Sequence, residues 1–104
     1  MALYQLDHLI PQIDPSAWVF ESAIIIGDVR VGPKASIWPN VSIRGDNTTI
    51  SVGAGSNVQE GAVLHVDSDT PLIIHENVTV GHQAMLHGCT IHSGSLIGMQ
   101  AIVL

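Results

Sequence analysis

From Ile13 onward a large aliphatic residue recurs every six positions: Ile13, Val19, Ile25, Val31, Ile37 and Ile43. The series resumes as Val52, Val58 and Leu64, then Ile74, Val80 and Leu86, then Ile91, Ile97 and Val103. Three breaks of phase interrupt it: three extra residues after Ile43, four after Leu64 and one fewer after Leu86. All fifteen anchors are Ile, Val or Leu, and thirteen are β-branched. Four positions after the anchors stand Ala17, Ala23, Val29, Ala35, Val41, Asn47, Ser56, Ala62, Ser68, Val78, Ala84, Thr90, Ser95 and Ala101. Thirteen of these fourteen are Ala, Ser, Thr or Val, which implies a second inward slot with a size limit.

A period of six fits neither a helix, at about 3.6, nor a long alternating strand, at about 2. It fits short strands joined by turns, with one large and one small residue pointing inward in each unit. β-Branched residues favour that extended backbone. A β-sandwich would instead space its strands by about 8–12 residues, without the echo of small residues. The expected fold is all-β: a parallel β-helix of hexapeptide repeats in which three hexads, 18 residues, close one triangular coil, giving about five coils in all. Residues 1–12 read as a lead-in strand or cap, and residues 13–104 as the β-helix, which ends inside a repeat. The extra residues between Leu64 and Ile74, among them Asp67, Asp69 and Pro71, read as a protruding loop.

Composition narrows the partners. Of 104 residues, three are Lys or Arg and nine Asp or Glu, a formal charge of −6, so neither nucleic acid nor an anionic membrane is an expected partner. Hydrophobic residues make up 46% and charged ones 12%, the balance of a folded domain and not of a disordered tail. The N-terminal stretch has no basic n-region or apolar h-region, and no apolar run reaches the roughly 18 residues of a membrane span. A cytoplasmic protein is expected. Cys89 is the only cysteine, which excludes an intrachain disulfide and reads as an inert small residue on a turn.

The repeat also maps the histidines. His65 and His87 are second residues of hexads one full coil apart, so they stack in one outward column with backbones about 4.8 Å apart, close enough to share a metal ion. Arg44 holds the same slot one coil below His65. His82 lies on a different face, one coil above Glu60, with Gln59 beside that carboxylate. A neighbouring column packed against the corner could bring His82 to the His65/His87 pair. The geometry therefore predicts a site between subunits, most simply in a homotrimer. Three imidazoles would leave a fourth zinc position open, as in catalytic sites; Co2+ or Fe2+ would also be accepted. His8, His75 and His92 read as solvent-exposed or hydrogen-bonded side chains, the last two without a stacked histidine partner.

Several local stretches resemble the γ-class carbonic anhydrases and their bacterial homologues over Gly27–Leu104. They are Ile26-Gly-Asp-Val-Arg30, Ile43-Arg-Gly-Asp46, Asn57-Val-Gln-Glu-Gly-Ala-Val-Leu-His65, Val80-Gly-His-Gln-Ala-Met-Leu-His-Gly-Cys89 and Ile97-Gly-Met-Gln-Ala101. The resemblance implies a left-handed winding and a trimer in which His65 and His87 of one subunit and His82 of the next bind zinc. It further implies that Gln59 orients the metal-bound hydroxide or the substrate, that Arg44 and Asp46 form ion pairs between subunits, and that Asn57 is a neighbouring polar residue. Glu60 stands where prototype members carry Asp. Their long acidic loops are missing here, and they continue past the position of Leu104 into further coils and a C-terminal helix.

The expected activity on this reading is that of a lyase, reversible hydration of CO2 to bicarbonate by zinc-bound hydroxide, with the proton leaving through Gln59 and Glu60. Without a dedicated shuttle acid that activity would be weak or buffer-dependent. Two other readings stand beside it. One is a hexapeptide-repeat acyl-CoA thioesterase or acyltransferase. The other is a non-catalytic, metal-stabilised trimer module.

Overall fold

The computed structural model describes residues 2–104, and these form strands and turns with no helix. The strands are β1 (Ala2–Tyr4), β2 (Gln12–Ile13), β3 (Trp18–Val19), β4 (Ile24–Val31), β5 (Ser36–Ile37), β6 (Ser42–Val52) and β7 (Asn57–Val58). They continue as β8 (Val63–His65), β9 (Leu72–Ile74), β10 (Thr79–Val80), β11 (Met85–His87), β12 (Thr90–Ile91), β13 (Leu96–Ile97) and β14 (Ile102–Val103). Every pairing between them is parallel. The chain winds as a left-handed parallel β-helix of hexapeptide repeats, about five coils deep. That hand opposes the usual right-handed crossover of parallel strands.

The anchors fall into three columns in strict register. Ile13, Val31, Val52, Ile74 and Ile91 stack on a first face. Val19, Ile37, Val58, Val80 and Ile97 stack on a second. Ile25, Ile43, Leu64, Leu86 and Val103 stack on a third. Ile25, Ile37, Ile43, Leu64, Ile74 and Leu86 are fully buried, so the core is a continuous aliphatic filling along the axis. Burying each such side chain contributes about 1.5–3 kcal/mol.

The second inward slot differs from expectation at one corner. Asn47, Ser68 and Thr90 are exposed, and Ile50, Leu72 and Cys89 take their places inside. Side chains alternate along a strand, so the residue two before the next anchor shares its inward direction wherever the unit is lengthened or shortened earlier. The small slot must therefore be counted back from the following anchor. The corner between the third and first faces is thus filled by Val29, Ile50, Leu72 and Cys89, larger than the Ala and Ser that line most of the other two.

In every coil after the first, each of those other corners turns through one left-handed residue. Lys34, Gly55, Asn77 and Gly94 form one such series, and Asn40, Gly61, Gln83 and Gln100 the other. Backbone N–H groups stitch them along the axis, as from Asn77 to the Ala54 carbonyl at 2.9 Å and from Gln83 to the Glu60 carbonyl at 2.9 Å. Ser56 is wholly buried, yet satisfied: its hydroxyl donates to the His75 carbonyl at 2.7 Å and accepts the Val78 N–H at 3.0 Å. On the second face Phe20 and Trp38 stack at 4.6 Å, and Trp18, 64% exposed, lies 5.8 Å from Phe20. Three of the four aromatic residues thus form one surface patch.

In β4 and β6 the third corner is crossed by uninterrupted strand, with a register shift between Gly27 and Val29. Glycine is required here for contact. A Cβ on Gly27, at φ +82°, would strike the Gly45 carbonyl oxygen, and a Cβ on Gly45 would strike that of Asp28. Gly45→Ala is expected to lower stability by about 1–3 kcal/mol. Gly98→Ala, where an added Cβ meets nothing within 4 Å, should stay within about 0.5 kcal/mol. Urea unfolding of both variants against the parent checks the contrast.

Candidate functional site

The third face gathers the chemistry. His65 in β8 and His87 in β11 are direct register partners, with ring centroids 5.1 Å apart and planes at 71°. Their Cα–Cβ bonds emerge from the same position of adjacent coils, so the parallel ladder alone brings them together. Arg44 lies on this face one coil below. Arg44 and Asp46, two residues apart on β6 and so on one face of that strand, pair at 3.2 Å between Nη1 and Oδ2.

Asp46 uses its other oxygen on the imidazole: His65 Nε2 lies 2.9 Å from Oδ1. Partial burial pushes the Asp46 carboxyl upward. The hydrogen bond with His65, the N–H of Asn47 and the charges of His65 and Arg44 outweigh it, holding the group below the usual carboxylate range. Asp46 is consequently an ionised acceptor at neutral pH. A neutral His65 then carries its proton on Nε2, which leaves Nδ1 as the basic nitrogen.

His87 has a partner that the repeat arithmetic leaves out. Its Nε2 lies 2.9 Å from Asp67 Oδ1. Asp67 opens the short loop closed by its bridge to Thr70, in the segment inserted after Leu64. The insertion itself was the available signal, since it follows His65 directly and carries two aspartates. Cys89, next to this corner, has its thiol pushed up by burial against a smaller opposing hydrogen bond near His87, which makes it a poor nucleophile at neutral pH.

The imidazoles and Arg44 border a groove of about 410 Å3, walled by Ile24, Ile26, Val63 and Met85. That volume is within the range of small-molecule sites, and its walls are mainly apolar. The remaining candidates lie elsewhere. Asn57, Gln59, Glu60 and His82 occupy the second face, where Gln59 donates to Asn57 Oδ1 at 3.0 Å and Asn57 to Thr79 Oγ1 at 3.1 Å. His82 Nδ1 is 3.2 Å from Glu60 Oε1. One protomer therefore unites Arg44, Asp46, His65 and His87, and keeps the other four apart. On the first face His75 and His92 do stack, with ring centroids 5.5 Å apart and planes at 9°, contrary to the expectation of unpartnered rings. They too stand one full coil apart.

No family model matches the chain. It is 43% identical over all 104 residues to the carnitine operon protein CaiE of Salmonella newport (strain SL254), and equally to that of Salmonella heidelberg (strain SL476). In each case it covers 52% of the relative, so the chain spans about half the length of the curated proteins it matches. Among solved structures it superposes with a TM-score of 0.95 on a hexapeptide transferase family protein from Anaplasma phagocytophilum, at 38% identity, covering 99% of this chain and 60% of the other. A Bacillus cereus protein provisionally described as an acetyltransferase gives a TM-score of 0.95 at 42% identity, with 97% and 59% coverage.

These similarities overturn the carbonic anhydrase reading. The solved relatives are described as transferases, which conflicts with a carbonate dehydratase lyase hydrating CO2 to bicarbonate and with its zinc ion. In one protomer both Nε2 atoms face carboxylates, and its described residues contain no group of three His, Cys, Asp or Glu side chains suited to a metal ion. The γ-carbonic anhydrase motifs record a stacking geometry that proteins of different chemistry share. Among the described residues, no helix is long and apolar enough to cross a membrane.

Stability should follow the ionisation of Asp46. A carboxyl held below its unfolded value contributes stability that is present in full above about pH 4 and is lost as pH falls through the lower folded value. Asp46→Asn is expected to remove this part of the acid limb, so that parent and variant differ less below about pH 3 than at pH 6. Thermal unfolding across that range reads it.

Proposed function

We propose that the chain is the hexapeptide column of an acyl-transfer protein, acting on a thioester-activated acyl group bound in the groove of the third face. The observation that carries this reading is the imidazole of His65, held by an ionised Asp46 with its Nδ1 left basic beside an apolar groove. The transferase descriptions of the solved relatives support it. The acyl chain would lie against Ile24, Ile26, Val63 and Met85, with its carbonyl toward Arg44.

His65 Nδ1 takes the proton of an acceptor hydroxyl, amine or water as the acceptor's oxygen or nitrogen attacks the thioester carbon. Arg44 faces the charge that develops on the carbonyl oxygen. The tetrahedral species then collapses, the C–S bond breaks, and the departing thiolate takes the proton from the imidazolium. Asp46 fixes the tautomer and stabilises the imidazolium without itself being protonated. His87, set against His65 and oriented by Asp67, borders the same reacting centre.

A homotrimer completes the proposal. A heterologous contact that closes after three copies would set the second face of each column against the third face of the next, carrying Gln59, Glu60 and His82 toward the neighbouring groove. Asn57 then holds the Gln59 amide in place. The test uses the full chain with acetyl coenzyme A and a panel of amine and alcohol acceptors. Release of free thiol is expected, at a particle mass three times 11.0 kDa. His65→Ala should lower the rate about 10²–10⁴-fold, whereas Cys89→Ala leaves it unchanged. No thiol release under any condition, or a His65→Ala variant as active as its parent, overturns the proposal.

A further inference from the structure

The stacked pair on the first face, His75 and His92, has no part in the chemistry above. Strands β9 and β12 pair through Ile74 and Ile91, and the His75 N–H donates to the Ile91 carbonyl at 2.9 Å. Each histidine follows directly after one of these paired anchors, so both leave the backbone at matched points of neighbouring coils. Their planes are almost parallel, 9° apart, with centroids at 5.5 Å. Both residues are exposed, and neither ring is engaged in a hydrogen bond or an ion pair with the described residues.

The contrast with the third face is chemical. There the two rings meet at 71°, and each Nε2 already faces a carboxylate. On the first face the ring nitrogens have no partner among the described residues, and the rings lie face to face. We propose that His75 and His92 form a two-imidazole site for a borderline divalent transition metal ion, with water completing its coordination. Imidazole nitrogen suits Ni2+, Cu2+ and Zn2+ ions, whose bond lengths of about 2.0–2.1 Å for zinc require the equivalent nitrogens to approach to about 4 Å or less. Exposed rings make that approach by rotating about their side-chain torsions, while the hydrogen-bonded backbones stay fixed. The ion would tie the coil of β12 to the coil below it. The proposed trimer buries the second and third faces and leaves this first face open, but the site does not depend on that assembly.

Ni2+ is the probe, titrated calorimetrically into the full chain freed of metal. One ion per chain is expected to bind here with a Kd of about 10–100 μM. His75→Ala and His92→Ala should each weaken this event at least about 10-fold, and His87→Ala should leave it unaltered. Saturating Ni2+ should also slow amide exchange in residues 89–95 of the parent and leave the His92→Ala variant unaffected, a readout independent of any turnover. Since both side chains are exposed, far-ultraviolet circular dichroism of the variants should match that of the parent. Undiminished Ni2+ binding in the two alanine variants, or no binding at about 1 mM Ni2+, overturns the assignment.

Discussion

The structure depends on the in-register stacking of parallel rungs. Each coil repeats the hydrogen-bond ladder of the one below, so a residue's surroundings are set chiefly by what stands three hexads before and after it. Stability in such a solenoid is close to a sum of neighbour terms, and each buried anchor contributes to two of them. The same rule constrains the corners. Gly27 and Gly45 belong to one stacked position, and a side chain at either would push two coils apart. Because the ladder copies position so faithfully, it places like side chains above one another without any sequence proximity. The pairs His65/His87 and His75/His92 are both products of that copying.

Much of this was legible in the sequence, because a period of six is an uncommon pattern with few structural solutions. The fifteen anchors and their three columns follow from counting alone, as does the meeting of His65 with His87. Three features escaped the count. Ile50, Leu72 and Cys89 are inward because a strand keeps its parity with the anchor ahead, not with the one behind. Asp67 reaches His87 from an irregular loop, and no period describes a loop. His75 and His92 were within reach of the same arithmetic, since their hexads are three apart, yet the shortened unit before Ile91 hid the match and they read as unstacked. Function was the least legible layer: the motifs that suggested carbon dioxide hydration are compatible with transferase relatives.

Magnitudes separate the parts that hold the column from those that shape its chemistry. Arg44 is more than half exposed, and a surface ion pair of that kind contributes only about 0–1 kcal/mol, less than one buried anchor. The chain from Arg44 through Asp46 to His65 is therefore weak as a brace. Its effect is directional. It keeps a carboxylate charged, and that carboxylate decides which imidazole nitrogen bears the proton. Gly45, between Arg44 and Asp46, has the opposite character, with no chemistry of its own and a large bearing on how closely two coils can approach.

The aromatic patch has a practical consequence. Both tryptophans of the chain, Trp18 and Trp38, sit on the same side of the triangle, at the end nearest the N-terminus. Intrinsic emission from this protein is consequently a local optical gauge of one wall. Solvent quenchers added to the isolated column would reach the Trp18 indole readily, while any body pressed against that wall would shield it and shift its spectrum to the blue. Events on the opposite walls would pass unseen by the same light.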